Sequence, residues 1–192
     1  MPRIIAGYAK GQQLLSPKND LTRPTTDRVR EAAFAMIVAK VGQMGEAAQQ
    51  LAGLSFLDLY AGTGAVGLEA ASRGAAPVWA VEKDSSNTAL IRQNSRRLGL
   101  ATQTRHSRVE LFAAKPAPLA FNIVWADPPY ETDSSELEDI VRLLVDNGWL
   151  KANALVIVER SIRSAVPNWR SDLHEIDRRN YGETSLYFAM KG

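Results

Sequence analysis

The feature that most constrains this chain is a six-residue, mostly apolar run, Leu54–Leu59, interrupted by Ser55 and Asp58 and leading into Ala61-Gly62-Thr63-Gly64-Ala65-Val66-Gly67. A short apolar run ending in closely spaced glycines, with helix-forming residues behind it, reads as a buried strand, a tight loop and a helix. Gly62 and Gly64 let the backbone turn sharply and approach a ligand, and Gly67 lets the helix pack closely. The same alternation continues along the chain. Helices are expected at Asp27–Val41, Ala65–Arg73, Ser86–Leu98, Val109–Ala114 and Ser135–Val145. Strands are expected at Val78–Glu82, Thr102–His106, Phe121–Ala126 and Leu155–Glu159. A closing pair, about Leu173–Arg179 and Thr184–Met190, turns through Tyr181-Gly182-Glu183. Arg3–Tyr8 and Gln12–Leu15 read as a small hairpin around Gly11, and Thr25 or Thr26 can cap the first helix. Strands alternating with helices predict a mostly parallel sheet covered on both faces, with an antiparallel hairpin at one edge. Trp79 and Trp125 fall inside predicted strands and are expected in the core, and Phe34 and Met36 fit helix packing.

The chain has 192 residues and no cysteine, which excludes a disulfide framework, a cysteine-based zinc site and a catalytic thiol. Two histidines, His106 and His174, are too few for a His-rich metal centre, so no metal is expected. No run approaches the roughly 18–20 apolar residues that span a bilayer, and the N-terminal residues lack an apolar segment followed by a cleavage site. A soluble, cytoplasmic protein is the expectation, with nothing demanding more than a monomer. The net charge is only +2, from 23 Lys+Arg against 21 Asp+Glu, but it is unevenly spread. Residues 1–30 hold six basic and two acidic residues, Arg92–Arg108 is purely basic, and 127–146 is acidic. Clustered positive charge is the footprint of a phosphate-backbone binder, and equally of solvated helix faces. Arg28 and Arg30 serve as well for ion pairs with Asp27 or Glu31.

Two sites carry chemistry. Glu82 ends the second strand about twenty residues after Gly62, where a carboxylate can accept ribose hydroxyls. This satisfies a dinucleotide fingerprint, so a nicotinamide cofactor stays on the table. Asp58 weighs against it, because a carboxylate beside the loop opposes a pyrophosphate and favours a cationic ligand. S-adenosylmethionine, with an ammonium and a sulfonium, meets that requirement. Asp58-Leu59-Tyr60-Ala61-Gly62-Thr63-Gly64 resembles the first motif of class I S-adenosylmethionine-dependent methyltransferases. The second site is Asp127-Pro128-Pro129-Tyr130, at the carboxyl end of Phe121–Ala126. Two prolines stop a strand. Ligands of open α/β sheets also bind at this edge, where Asp127 and the Pro128 carbonyl form a stiff pair of acceptors and Tyr130 a stacking surface. The set suits an exocyclic amine on a planar ring.

Asp-Pro-Pro-Tyr alone names only an amino target, and leaves a DNA adenine-N6 methyltransferase or an RNA-binding assembly factor with a vestigial pocket as alternatives. The N-terminal part narrows the choice. Arg3-Ile4-Ile5-Ala6-Gly7, Gly11 and Arg23-Pro24-Thr25-Thr26-Asp27-Arg28-Val29-Arg30-Glu31 resemble the bacterial RsmD family, 16S ribosomal RNA (guanine-N2)-methyltransferases acting on guanine 966. The match continues through Asp58–Gly67, Leu68-Glu69-Ala70, Asp127–Tyr130, Asn147-Gly148-Trp149-Leu150 and Tyr181-Gly182. The resemblance implies a Rossmann-like class I methyltransferase domain over 25–192, a seven-stranded and mostly parallel sheet, preceded by an RNA-binding hairpin arm over 1–24. It implies cofactor contacts at Asp58, Tyr60, Gly62, Gly64 and Glu82, with a Val109 backbone contact to adenine in place of the family's small polar residue. It implies amine binding by Asp127, Pro128 and Tyr130, and RNA contacts at Arg3, Lys10, Arg23 and Arg28. The implied partner is 16S ribosomal RNA, alone or in a small-subunit assembly intermediate.

Overall fold

The computed structural model describes residues 2–17 and 26–192. Seven strands form one sheet: β1 (Phe56–Leu59), β2 (Val78–Glu82), β3 (Thr102–His106), β4 (Phe121–Ala126), β5 (Leu150–Ser161), β6 (Leu173–Tyr181) and β7 (Thr184–Lys191). Their order is β3-β2-β1-β4-β5-β7-β6, with only the β5–β7 and β6–β7 pairings antiparallel. The chain starts at β1, winds outward to β3, then returns to β4 on the other side. That reversal puts a crevice between the carboxyl ends of β1 and β4. The expected Rossmann-like sheet with its closing antiparallel hairpin is what forms.

Among the described residues five α-helices cover the sheet: α1 (Asp27–Val41), α2 (Ala65–Ser72), α3 (Ser85–Leu98), α4 (Val109–Ala113) and α5 (Ser134–Asp146). Strand side chains alternate between two cores. Phe56, Ile123, Trp125, Ile157 and Phe188 meet α1, α2 and α3, whereas Leu57, Val124, Val158 and Tyr187 meet α4 and α5. Phe34 and both expected core tryptophans are buried, and Met36 packs against the core from a partly buried position. Trp79 lies edge-on to Phe121 at 5.5 Å in an aromatic cluster with Phe112 and Trp149. Helix starts follow side-chain capping: Thr26, Asp84 and Asp133 each accept a main-chain N–H of the first turn. The fifth strand begins at Leu150, five residues before the apolar run that announced it. Leu150 pairs with Phe121 across a register shift, and the intervening Lys151–Asn153 are exposed and gave no apolar signal.

The N-terminal segment closes on itself through a single bridge, Arg3 to Gln13, and through Ile4 N–H to Gln12 O at 2.9 Å. Ile4, Ala9 and Leu14 are buried in the same core as α1–α3. Its main chain is held by α2. The Glu69 carboxylate accepts Ile5 N–H at 2.7 Å and Ala6 N–H at 3.1 Å, and Ser72 Oγ accepts Ala9 N–H at 3.0 Å. Gly7 is required here. Its φ is +83°, and a Cβ would lie 1.8 Å from Ser72 O.

Candidate active site

The strand register assembles the site. Leu59 pairs with Val81 and with Ala126, and Ala126 pairs with Val158. The next residue on each strand is therefore Glu82, Tyr60, Asp127 or Glu159, one row across the carboxyl edge of β2, β1, β4 and β5. Strands are spaced about 4.8 Å apart, so Glu82 and Asp127 stand roughly 10 Å from each other. All four line a cleft of ≈ 1040 Å³, with Asp58, Gly62, Val109, Pro128 and Tyr130.

The cofactor side of this row is built around two buried carboxylates. Asp58 is 1% exposed, and its Oδ2 accepts Gly67 N–H at 2.8 Å. A Cβ at Gly67 would come within 3.1 Å of that oxygen, so the glycine makes room for the carboxylate as well as for close helix packing. Burial pushes the Asp58 pKa up to about 7; the Gly67 hydrogen bond opposes this and the Glu82 charge adds to it. A carboxyl group this reluctant to ionise is a site that a cation would satisfy. Glu82 also shapes the loop, with Oε2 accepting Gly62 N–H and Oε1 accepting Asp84 N–H, both at 2.8 Å. Gly62 and Gly64 have φ of +53° and +81°. A Cβ at Gly62 would project into open space, while one at Gly64 would meet Ile91 at 2.9 Å. Of the two glycines, Gly62 is thus the one with open space beside it.

Tyr60 takes a left-handed φ of 60°, uncommon for a bulky residue. Its hydroxyl is buried with no hydrogen-bond partner among the described residues. Burial raises its pKa, and the charges of Glu110 and Glu136 raise it further. Val109 is buried at the first position of α4, preceded by Arg108, whose guanidinium pairs with Glu110 at 3.0 Å. The open cleft, the glycine bend and the buried acid together fit a cationic adenosine cofactor.

On the other side, Asp127 is half-buried, Pro128 buried and Tyr130 70% exposed. A turn closes behind them, with Thr132 N–H donating to Pro129 O at 3.0 Å. Arg160, almost fully buried, donates from Nη1 to Thr132 O at 2.9 Å, so β5 anchors the loop that follows the prolines. Its Nε has no partner among the described residues. Glu159 and Arg160 escaped sequence reasoning. The available signal was a charged pair closing the apolar strand Leu155–Val158, at the same sheet edge as the motif.

The residues expected to touch RNA are dispersed. Lys10 is exposed, and Arg3 pairs with Asp27 at 3.5 Å. Arg28 is exposed and lines a smaller crevice of ≈ 380 Å³ with Tyr181 and Gly182. Arg23 lies outside the described residues. Arg30 is fully buried; it donates to Arg3 O and pairs with Asp27 at 2.9 Å, which makes it a structural cation. His106 and His174 are exposed. Among the described residues, no group of His, Asp and Glu could hold a metal ion, and no helix is long and apolar enough to cross a membrane.

This chain is similar to several known proteins. A family described as "Conserved hypothetical protein 95" matches residues 2–190. The ribosomal RNA small subunit methyltransferase D of Escherichia coli K12 is 36% identical over 173 residues, which is 87% of this chain and 80% of that protein. The solved structure of yhhF from Escherichia coli superposes with a TM-score of 0.84 at 32% identity, covering 98% of this chain and 97% of that one. At 11% identity, the magnesium protoporphyrin IX methyltransferase of Synechocystis PCC 6803, solved with bound SAM, still gives a TM-score of 0.64, over 86% of this chain and 79% of its own. That last likeness concerns the fold alone. Sheet order, glycine loop and full-length sequence match agree: the chain belongs to the RsmD family and has the Rossmann-like class I methyltransferase fold.

Proposed function

We propose that this protein transfers a methyl group from S-adenosylmethionine to the exocyclic N2 of a guanine in 16S ribosomal RNA, at the position the family resemblance implies, guanine 966. The observation that carries the reading is the row Glu82, Tyr60, Asp127, Glu159 at one sheet edge, with a cofactor loop at one end and an amine-binding loop beside it. The rRNA methyltransferase named among its relatives supports the substrate class.

The cofactor is S-adenosylmethionine, whose sulfonium supplies an activated methyl group. Asp58, Tyr60, Gly62, Gly64, Glu82 and the Val109 backbone are the residues that would hold it. The work of the chain is then orientation and electrostatics. An exocyclic amine is a poor nucleophile because its lone pair is delocalised into the ring. Asp127 and the Pro128 carbonyl accept its two N–H groups, favour a more tetrahedral nitrogen and direct the lone pair toward the cofactor side. The carboxylate also stabilises the positive charge that grows on nitrogen. The methylated nitrogen is acidic enough to lose its proton to water, so no strong base is needed. Tyr130, largely exposed, offers its ring face to the base, which must leave its stack to reach this depth. Arg3, Lys10, Arg23 and Arg28 contact the RNA around it.

The test is methyl transfer from labelled cofactor to 16S rRNA, 30S particles, duplex DNA and tRNA in parallel, with the label mapped to its nucleotide. Label on guanine N2 of small-subunit RNA is expected, and label in DNA adenine, or nowhere, overturns the proposal. In the same assay Asp127→Ala abolishes transfer and leaves cofactor affinity nearly intact; turnover surviving at saturating cofactor refutes the role given to Asp127.

A further inference from the structure

Helix α3 carries Arg92, Arg96 and Arg97 and no acidic residue over Ser85–Leu98. Arg92 and Arg96 are four residues apart, hence on one face, and both are exposed. Arg97 is also exposed, its guanidinium donating to the main-chain carbonyl of Gln13. Several other surface arginines are neutralised nearby. Arg108 pairs with Glu110 at 3.0 Å, Arg142 with Asp139 at 2.9 Å, Arg170 with Asp146 at 2.7 Å and Arg179 with Asp177 at 2.9 Å. Among the described residues, Arg92, Arg96 and Arg97 make no ion pair. Arg96 and Arg97 lie in the last turn, where they offset the negative end of the helix dipole. Arg92 sits mid-helix and has no such use.

The position of this face matters as much as its charge. Ser86 and Asn87, in the first turn of α3, line the catalytic cleft. At 1.5 Å per residue, Arg92 stands about 8 Å and Arg96 about 14 Å further along the axis. The N-terminal segment is laid along the same helix. Buried Asn94 accepts Leu15 N–H at 2.9 Å and donates to Leu15 O at 3.1 Å. Pro17, two residues on, lines the cleft, and exposed Lys10 belongs to the same segment. A basic track therefore runs from the mouth of the cleft along α3, bordered by the N-terminal segment.

We propose that this face of α3 is a second RNA-contact surface, one that binds phosphates of the strand flanking the target nucleotide. It rests on the reading of the protein as an RNA methyltransferase and adds to it a surface that neither the motifs nor the N-terminal basic residues indicated. A nucleotide turned into the cleft remains joined to a polyanion, and its flanking phosphates need counter-charge within a few nucleotides' reach. Neutralising them releases counterions, which no acidic protein partner would mirror with the same salt law.

The experiment uses the full chain and a fragment of 16S rRNA containing the methylated site. Binding is measured over a salt series for wild type, R92Q/R96Q, R92K/R96K and, as a control on the opposite face of the sheet, R142Q. The expected result is about a tenfold weaker Kd for R92Q/R96Q at low salt, and a log–log salt slope shallower by about 1.4, the value for two phosphate contacts on a single strand. The Lys pair restores both, R142Q changes neither, cofactor affinity stays at its wild-type value throughout, and the melting temperature of R92Q/R96Q falls by no more than a few degrees, the cost of the lost helix-end charge. A wild type that binds and methylates the RNA beside an R92Q/R96Q variant of equal Kd and slope overturns this surface alone. A wild type that binds no RNA overturns the functional reading as well.

Discussion

Asp58→Asn separates the folding cost of the cofactor carboxylate from its use. The side chain is fully buried, and burial raises its pKa from 3.8 to about 7 against the pull of the Gly67 N–H. A carboxyl group raised in this way contributes stability that is complete below its unfolded pKa and is lost as pH climbs through the folded one. A rise from 3.8 to about 7, at about 1.4 kcal/mol per tenfold change in proton affinity, makes the loss at most about 4 kcal/mol between pH 4 and pH 8. Asparagine keeps an acceptor for Gly67 and has no charge to bury. In urea denaturation of the cofactor-free protein, the unfolding free energies of variant and wild type should nearly coincide at pH 4. They should diverge to as much as 4 kcal/mol in favour of the variant by pH 8. Taking the difference cancels the acids Asp84, Asp133 and Asp177, whose pKa values are lowered mainly by hydrogen bonds. On the proposed cofactor role, the order reverses with S-adenosylmethionine, because its ammonium favours the ionised carboxylate. Saturating cofactor at pH 8 should then stabilise the wild type more than the variant. A pH-independent difference, or a wild type that is the more stable at pH 8 without cofactor, refutes the reasoning.

Two further substitutions test the frame around the site. Glu69→Gln removes the charge that faces buried Arg73 at 2.8 Å, and should cost about 3–5 kcal/mol of stability. Hydrogen exchange should show the Ile5 and Ala6 amides losing protection first, and unchanged protection would refute the clamp. Gly62→Ala places a methyl in open cleft space at φ +53°, so the fold should survive with a loss of about 1–2 kcal/mol. Calorimetric titration should show cofactor affinity falling instead, and retained affinity would remove Gly62 from the binding surface.

Much of this architecture was legible because its signals are local. Apolar runs bounded by glycines are short enough to be strands, and a capping Thr25 or Thr26 announces the first helix from a single position. The site row was partly legible for the same reason. Glu82 and Asp127 are polar residues that end apolar runs, and strand ends share an edge in a parallel sheet. The hidden parts depend on partners far away in sequence. Glu69 reads as an ordinary helix residue until Ile5 and Ala6, more than sixty positions earlier, bring their amides to it. Arg30 sits in the basic run that resembles the RsmD family, yet it is buried against Arg3 and Asp27. Arg160 reaches back to Thr132 across the whole of α5 and most of β5. No periodicity in one segment encodes such pairings.

The basic stretch Arg92–Arg108 shows why charge counted along a chain is a poor guide to charge on a surface. Five arginines there look like one patch. The helical period of α3 sends Arg92 and Arg96 outward on one face, and Arg97 toward the N-terminal segment. The twofold period of β3 then lays the Arg105 guanidinium over the Trp79 ring at 3.9 Å, on the α4–α5 side of the sheet. Arg108 precedes α4 and is held by Glu110. One linear cluster thus becomes a cation–π contact, a local ion pair and an exposed helical track, and only the track keeps its charge available to a polyanion. The net charge of +2 conceals that track, because the acids that balance it stand on other elements, paired with other arginines.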